Sequence, residues 1–417
     1  MEKLLISLIV ILSFLISTLS ILSQQFESNT EPYQLEKSLT MDSQVNSWML
    51  TVGTEFTENP ILAIAKKEIS RIDKATRSLI ELPENYLSVI FSKGGNFFAV
   101  IRTDNTSARP NDYHNITVEV FRLDGKKIYS ISRSESYDDV IPIVVVSDRD
   151  GAVIIGQNSN AQIWFYDPAG ELIERVSLFQ EIEYDLERNL SIDVSSEGNT
   201  VAVVSGQRGS SPAGSEAINP SAEPQQFLFT SDGELLWKKE LTKYNSTGTA
   251  ISPDGSFIAT NNYTIDMQGN VSKTTVVFDA DGQEVMTIEI LFKHAVFSAN
   301  SNTLLLMENS AAQLVDLSAA DLLWRYEVNP SERIITAGSL SENGKIASLL
   351  LAKSEYRDGE FIFVEPELQI LDHQGNDVQK IEVFDQTFLN PSLKIANDSR
   401  EIFVGFKNSY QIYRVDQ

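Results

Sequence analysis

Cysteine is absent from this sequence, which excludes disulfides, thiolate metal sites, a cysteine nucleophile and an acylated N-terminal cysteine together. Histidine is scarce: His114, His294 and His373 fall in different segments, and no two of them have metal-ligand spacing. Basic residues are in deficit, 33 Lys plus Arg against 58 Asp plus Glu for a net charge of -25. That balance opposes docking on nucleic-acid phosphates or on an anionic membrane surface, so no nucleic-acid partner is expected. No G-x-S-x-G elbow, P-loop or G-x-G-x-x-G loop occurs, and no two carboxylates stand out as a glycosidase pair. In SDRDG (Asp148, Asp150) and DADG (Asp279, Asp281) alternate carboxylates precede a glycine as in calcium loops, but the later bidentate Glu is not in frame. Ordinary turn chemistry accounts for both. Catalytic residues, metal ligands and cofactors are therefore expected to be none.

There is one long apolar run, LLISLIVILSFLISTLSIL at 4–22, preceded by Lys3 and followed by a stretch whose charges are Glu27, Glu31 and Glu36. Its length suits a bilayer core, and the positive-inside bias places the chain beyond Ser23 outside the cytoplasm. Residues 1–23 thus read as one hydrophobic helix, either a signal peptide or a retained membrane anchor. The small-residue sites at Thr18-Leu19-Ser20 and Ile21-Leu22-Ser23 lack Ala-x-Ala, which leaves both open. The protein would be secreted or periplasmic if the segment is cleaved. If it is retained, 4–22 would be the membrane contact of an anchored protein. Residues 24–45 read as a linker.

The rest is repetitive. ISPDGSFIATNN at 251–262 joins two apolar runs through a Ser-Pro-Asp-Gly turn, and six related hairpins stand at 89–102, 144–156, 192–206, 295–308, 338–352 and 393–406. Between them lies a second hairpin type with Asp near the end of its first strand and usually Gly in its turn, as in QFLFTSDGELLWKKEL and TVVFDADGQEVMTIEI. Two alternating hairpins make a four-stranded unit, and the anchors recur every 43 to 57 residues, the period of a β-propeller blade. A sandwich gives no reason for two turn chemistries to alternate in fixed order.

The Ser hairpins at Ser92, Ser147, Ser195, Ser252 and Ser341 resemble those of WD-repeat propellers. The D-x-x-G hairpins followed by Trp237 and Trp324 resemble quinoprotein-type (pyrroloquinoline-quinone-type) propeller repeats. The resemblance covers about residues 45 to 417 and implies fold only; the Gly-His and Trp-Asp dipeptides of strict WD repeats are missing. The expected fold is all-β, a propeller of four-stranded antiparallel blades over 46–417. Seven blades are favoured over eight, because a blade shared between head and tail leaves no ragged edge strands.

In such a blade the first and third turns emerge at one face. The second turns and blade-to-blade links emerge at the other, and there the length varies, at 103–115, 206–225, 261–273 and 353–367 and at the links 133–139 and 179–188. Long loops on a rigid scaffold are where binding residues gather. Arg109, Tyr113, Tyr184, Arg208, Tyr263, Tyr356 and Arg357 are the aromatic and cationic candidates on that face. The functional expectation is a non-catalytic, extracytoplasmic propeller that binds a protein or glycan there. Its alternatives are a quinone-dependent dehydrogenase or a hydrolase acting at the central channel, and a self-assembling scaffold. Trp237 and Trp324 sit at equivalent places in fourth strands, which points to packing between blades.

Overall fold

The computed structural model describes residues 32–50, 55–57, 59–73, 75–103, 115–134, 141–158, 161–179, 188–207, 224–241, 248–265, 268, 270–357, 359–384 and 386–415. The apolar run at 4–22 lies outside them, and among the described residues no helix is long and apolar enough to cross a membrane.

The described strands form eight antiparallel sheets, each with four strands in radial succession, and the seventh carries one extra short strand. In chain order the blades span 45–81, 86–133, 143–177, 188–240, 249–288, 294–327, 334–382 and 392–414. The ring thus has eight blades, not the favoured seven, because residues 45–81 form a complete four-stranded sheet of their own beside the one built on the tail strands at 392–414. Val45–Leu50 is the inner strand of blade 1. The segment Gln34–Thr40, expected within a linker, pairs with Ser409–Arg414 as the outermost strand of blade 8. The shared closure is present as well, but it is supplied by an additional strand.

The core lies between blades, not within them. Every apolar cluster joins two neighbours: Ala99, Val118 and Val120 of blade 2 meet Val144, Val153 and Trp164 of blade 3, and Leu350, Leu368 and Ile370 of blade 7 meet Leu393, Ile402 and Val404 of blade 8. Middle strands are therefore covered on both faces. This explains why Ile61–Ala65 and Thr303–Met307 are buried at every position, where a half-solvated sheet would alternate.

The two hairpin chemistries have separate jobs. In the first type a buried Ser hydroxyl accepts the N–H five residues on, as Ser252 does from Phe257 at 2.9 Å, Ser298 from Thr303 at 3.0 Å and Ser341 from Ile346 at 3.0 Å. In the second an Asp carboxylate accepts two N–H groups of its own turn, as Asp279 does from Asp281 at 3.0 Å and Gln283 at 2.7 Å. The turn glycine then has positive φ and sits flat on the preceding blade. Gly282 (φ 75°) lies against the ring of Trp237, and Gly375 (φ 81°) against Trp324. Trp237 also donates from Nε1 to the Ala280 carbonyl at 2.8 Å, so both tryptophans pack between blades as expected. Asp148 reaches across a blade boundary to accept from the Ser92 hydroxyl at 2.6 Å and the Asn96 side-chain amide at 2.8 Å. Its carboxylate is thereby engaged in joining blades.

Blade 8 closes on blade 1 through different chemistry. Ala396 stands where blades 2 to 7 have the turn serine, and the fully buried Glu401 takes over. Its carboxylate accepts from the Phe56 N–H, from the Thr57 N–H at 3.1 Å and from the Thr57 hydroxyl at 2.8 Å, with Arg414 Nη1 at 3.6 Å. Glu401→Ala leaves buried donors of the first blade without an acceptor and should cost about 2–4 kcal/mol. The expected result is a lower urea midpoint with unchanged far-ultraviolet circular dichroism. A midpoint equal to that of the parent protein would mean that the junction is held by packing alone.

Candidate interaction surface

Among the described residues, blade 7 departs most from the repeat. Its second and third strands, Ile346–Arg357 and Glu360–Asp372, run past the sheet as a hairpin. The inner strand Ile334–Leu340 pairs only as far as Ala352, whereas the hairpin continues for five more register pairs, from Lys353 opposite Val364 to Arg357 opposite Glu360. At the rise of an antiparallel strand this projects about 15 Å from the sheet. A register shift between Leu351 and Lys353 marks where the projection begins. Facing it, Glu365 takes the left-handed φ of 50°, strained for a residue with a Cβ. Arg333 holds that turn in place by donating from Nη1 to the Glu365 carbonyl at 2.6 Å, while Lys353 binds the Glu365 carboxylate at 2.6 Å.

An aromatic stripe fixes the hairpin to the body. Residues 361 and 363 share one face by strand alternation. The Phe363 ring meets Phe388 at 5.1 Å, and Phe388 meets Phe406 of blade 8 at 6.5 Å. The short strand Thr387–Phe388 pairs with Phe363 and Val364, closing one edge. Along the opposite edge, 353–357 have no ladder partner among the described residues apart from 360–364. At the far end the rings of Tyr356 and Phe361, register partners, meet at 4.9 Å with their planes tilted by 59°, and 65% and 70% of their surface is exposed. At the base of the hairpin lies a cleft of about 470 Å³ lined by Arg333, Glu365, Pro366, Val383, Phe384 and Gln386, with Phe384 75% exposed. The lining residue Arg333 is anchored by the buried Glu367, whose carboxylate meets Arg333 Nε at 3.5 Å and Lys380 at 2.8 Å.

Of the seven residues singled out from sequence, Tyr356 and Arg357 are brought together at this tip, with Arg357 paired to Glu355. Tyr263 lies on the strand Phe257–Ile265 of blade 5, opposite Lys273, away from the blade 7 hairpin in chain order. Arg109, Tyr113, Tyr184 and Arg208 lie outside the described residues. Two expected loops turn out to be largely strand: 353–367 is the hairpin, and much of 261–273 belongs to the long strands of blade 5. Asn261, at the start of the latter, is buried. Its side chain donates to the Phe292 carbonyl at 2.7 Å and accepts from the Phe292 N–H at 3.0 Å, a clamp on the link to blade 6. Phe361, Phe384 and Arg333 were missed. The Asp-Gly pair at 358–359 was the available signal for a tight turn between strands.

Comparison with known proteins bears out the WD40-like propeller fold. The structure matches the C-terminal WD40 domain of Sif2 over 93% of this chain and 99% of that one, with a TM-score of 0.57 at 10% identity. It matches the Dos1 propeller over 93% and 96%, with a TM-score of 0.53 at 12% identity. At such identities the likeness is one of fold alone. No protein-family model and no curated protein matches the sequence.

Because Phe388 joins the hairpin to blade 8 and is buried, Phe388→Ala should destabilise by about 3–5 kcal/mol. It should also release the projection. Limited proteolysis is expected to cut near 357–360 well before the body unfolds; an uncut hairpin would show that the strand pairing suffices.

Proposed function

We propose that the protein is a non-catalytic binding propeller, working outside the cytoplasm, whose long-loop face captures a protein partner on the hairpin of blade 7. The observation that carries this reading is the exposed Tyr356–Phe361 pair, held on a braced hairpin whose base lines a cleft that also exposes Phe384. Isolated exposed apolar residues need no explanation, but rigidly held aromatics beside a cleft lower the ordering cost of association and are the usual anchors of protein interfaces.

Protein is favoured over glycan because the edge at 353–357 offers a row of backbone donors and acceptors to an added strand. The charges around the pair are of both signs, with Lys353 and Arg357 beside Glu355, Glu360 and Glu365. That mixture suits salt-bridged polypeptide contacts better than neutral sugars. The location rests on the sequence: the run at 4–22 with Lys3 before it supports export, whether the segment is kept as an anchor or removed. Protease added to intact host cells should then degrade an anchored form; full protection together with absence from the medium would place the propeller inside.

The binding site is tested with a partner identified by cross-linking from position 357 in the native host. Tyr356→Ala with Phe361→Ala should weaken that partner's affinity at least tenfold, as expected for loss of two anchors. The melting temperature should stay within a few degrees, since both rings are exposed. Unchanged affinity, or a cross-linked species that is pure glycan, would refute the assignment.

A further inference from the structure

The inner strands of seven blades enclose a central cavity of about 590 Å³ on the ring axis. Its ionisable lining is basic: Lys93, Lys293, His294 and Lys394 against the single carboxylate Asp193. This inverts the balance of the whole chain, with its 33 basic and 58 acidic residues.

The repeat fixes the height of each group. Lys394 stands two residues before Ala396 and Asp193 two before Ser195, so they share a tier. His294 stands four before Ser298, one tier or about 7 Å nearer the long-loop face. Lys293 precedes it, and Lys93 comes after Ser92 at the short-turn mouth.

Asp193 is already engaged. Its Oδ2 accepts from Lys93 Nζ at 2.7 Å and from the Ile251 N–H at 2.9 Å, and Lys93 also donates to the Ile251 carbonyl at 2.9 Å. Among the described residues no carboxylate pairs with Lys293 or Lys394. Both are reached by water yet enclosed by protein. Burial, and then the Lys93 ammonium, holds the Lys394 amine below the ordinary lysine range. Burial, and then Lys293, does the same to His294. Like charges gathered between low-dielectric walls, here Leu50, Phe91, Ala250 and Val296, focus a positive potential that a bound anion relieves without loss of a proton.

We propose that the central channel is a binding site for a small multivalent oxyanion, of the phosphate or polycarboxylate type, held by Lys394 and Lys293 with His294 as a further donor. The partner-binding hairpin takes no part in it, and the two proposals stand or fall separately.

The test is calorimetric titration of the folded protein at low ionic strength with pyrophosphate and with citrate, alongside chloride as a monovalent control. Saturable binding to one or both multivalent anions is expected, with a raised melting temperature and none of either with chloride. Pyrophosphate alone would identify phosphate chemistry, and citrate alone polycarboxylate chemistry. Lys394→Gln and Lys293→Gln should each weaken binding about tenfold or more, whereas Lys126→Gln in an exposed turn should not. Tyr356→Ala with Phe361→Ala should bind anion as the parent does. Absence of binding by the parent, or undiminished binding by a folded double variant at 293 and 394, overturns the proposal.

Discussion

Everything in this structure hangs on ring closure between blade 8 and blade 1. A propeller blade buries both faces only when it has a neighbour on each side, so an open ring would leave two sheet faces in water. Here closure has three parts. Gln34–Thr40 supplies the outer strand of blade 8, and Tyr33 ahead of it exchanges hydrogen bonds with Gln379 of blade 7 at 2.7 and 3.0 Å. Trp48 of blade 1 donates to the Phe406 carbonyl at 2.7 Å and packs edge-on against Phe403 and Tyr410 of blade 8. Glu401 then receives the backbone donors of residues 56 and 57. Residues near one end of the chain thereby become inseparable from residues near the other, a long-range contact whose loop-closure entropy has to be met before the last interface forms.

The repeated residues serve that geometry. The glycines at 282 and 375 are where a Cβ would strike a tryptophan of the preceding blade, and the serines at 252, 298 and 341 tie the inner hairpins at buried positions. Such motifs are legible because blade packing imposes the same requirement again and again. For the same reason they carry no information about a ligand. Function has to be sought where the repeat is broken: in the overlong hairpin of blade 7, in Ala396 and Glu401, and in charged residues at inner-strand positions that other blades fill with Val145, Ala250 or Val296.

This divides the readable from the unreadable. Blade chemistry and strand order can be inferred from spacing. The count was missed because QLEKSLT at 34–40 is a mostly exposed outer strand, with no apolar pattern to separate it from a linker. Tyr356 and Arg357 could be picked by residue type, but their aromatic partner Phe361 becomes visible only once 353–367 is read as strand, turn and strand. The channel lysines were illegible in principle. Lys93, Lys293 and Lys394 are ordinary singly, and only the circular topology brings positions so far apart in sequence onto one axis.

The same topology relates the two proposed sites. Inner strands start at the face where second turns emerge, so Lys293 and His294, which open the inner strand of blade 6, lie toward the face from which the hairpin of blade 7 projects. These blades are adjacent and share an apolar interface through Leu305, Met307, Leu349 and Leu351. A protein gripping Tyr356 and Phe361 therefore stands beside that mouth of the channel, while the Lys93 mouth at the short-turn face stays clear. Any influence of one ligand on the other would act by covering a mouth or by charge across it. Neither route requires the closed ring to change shape, and the packing between blades leaves it little freedom to do so.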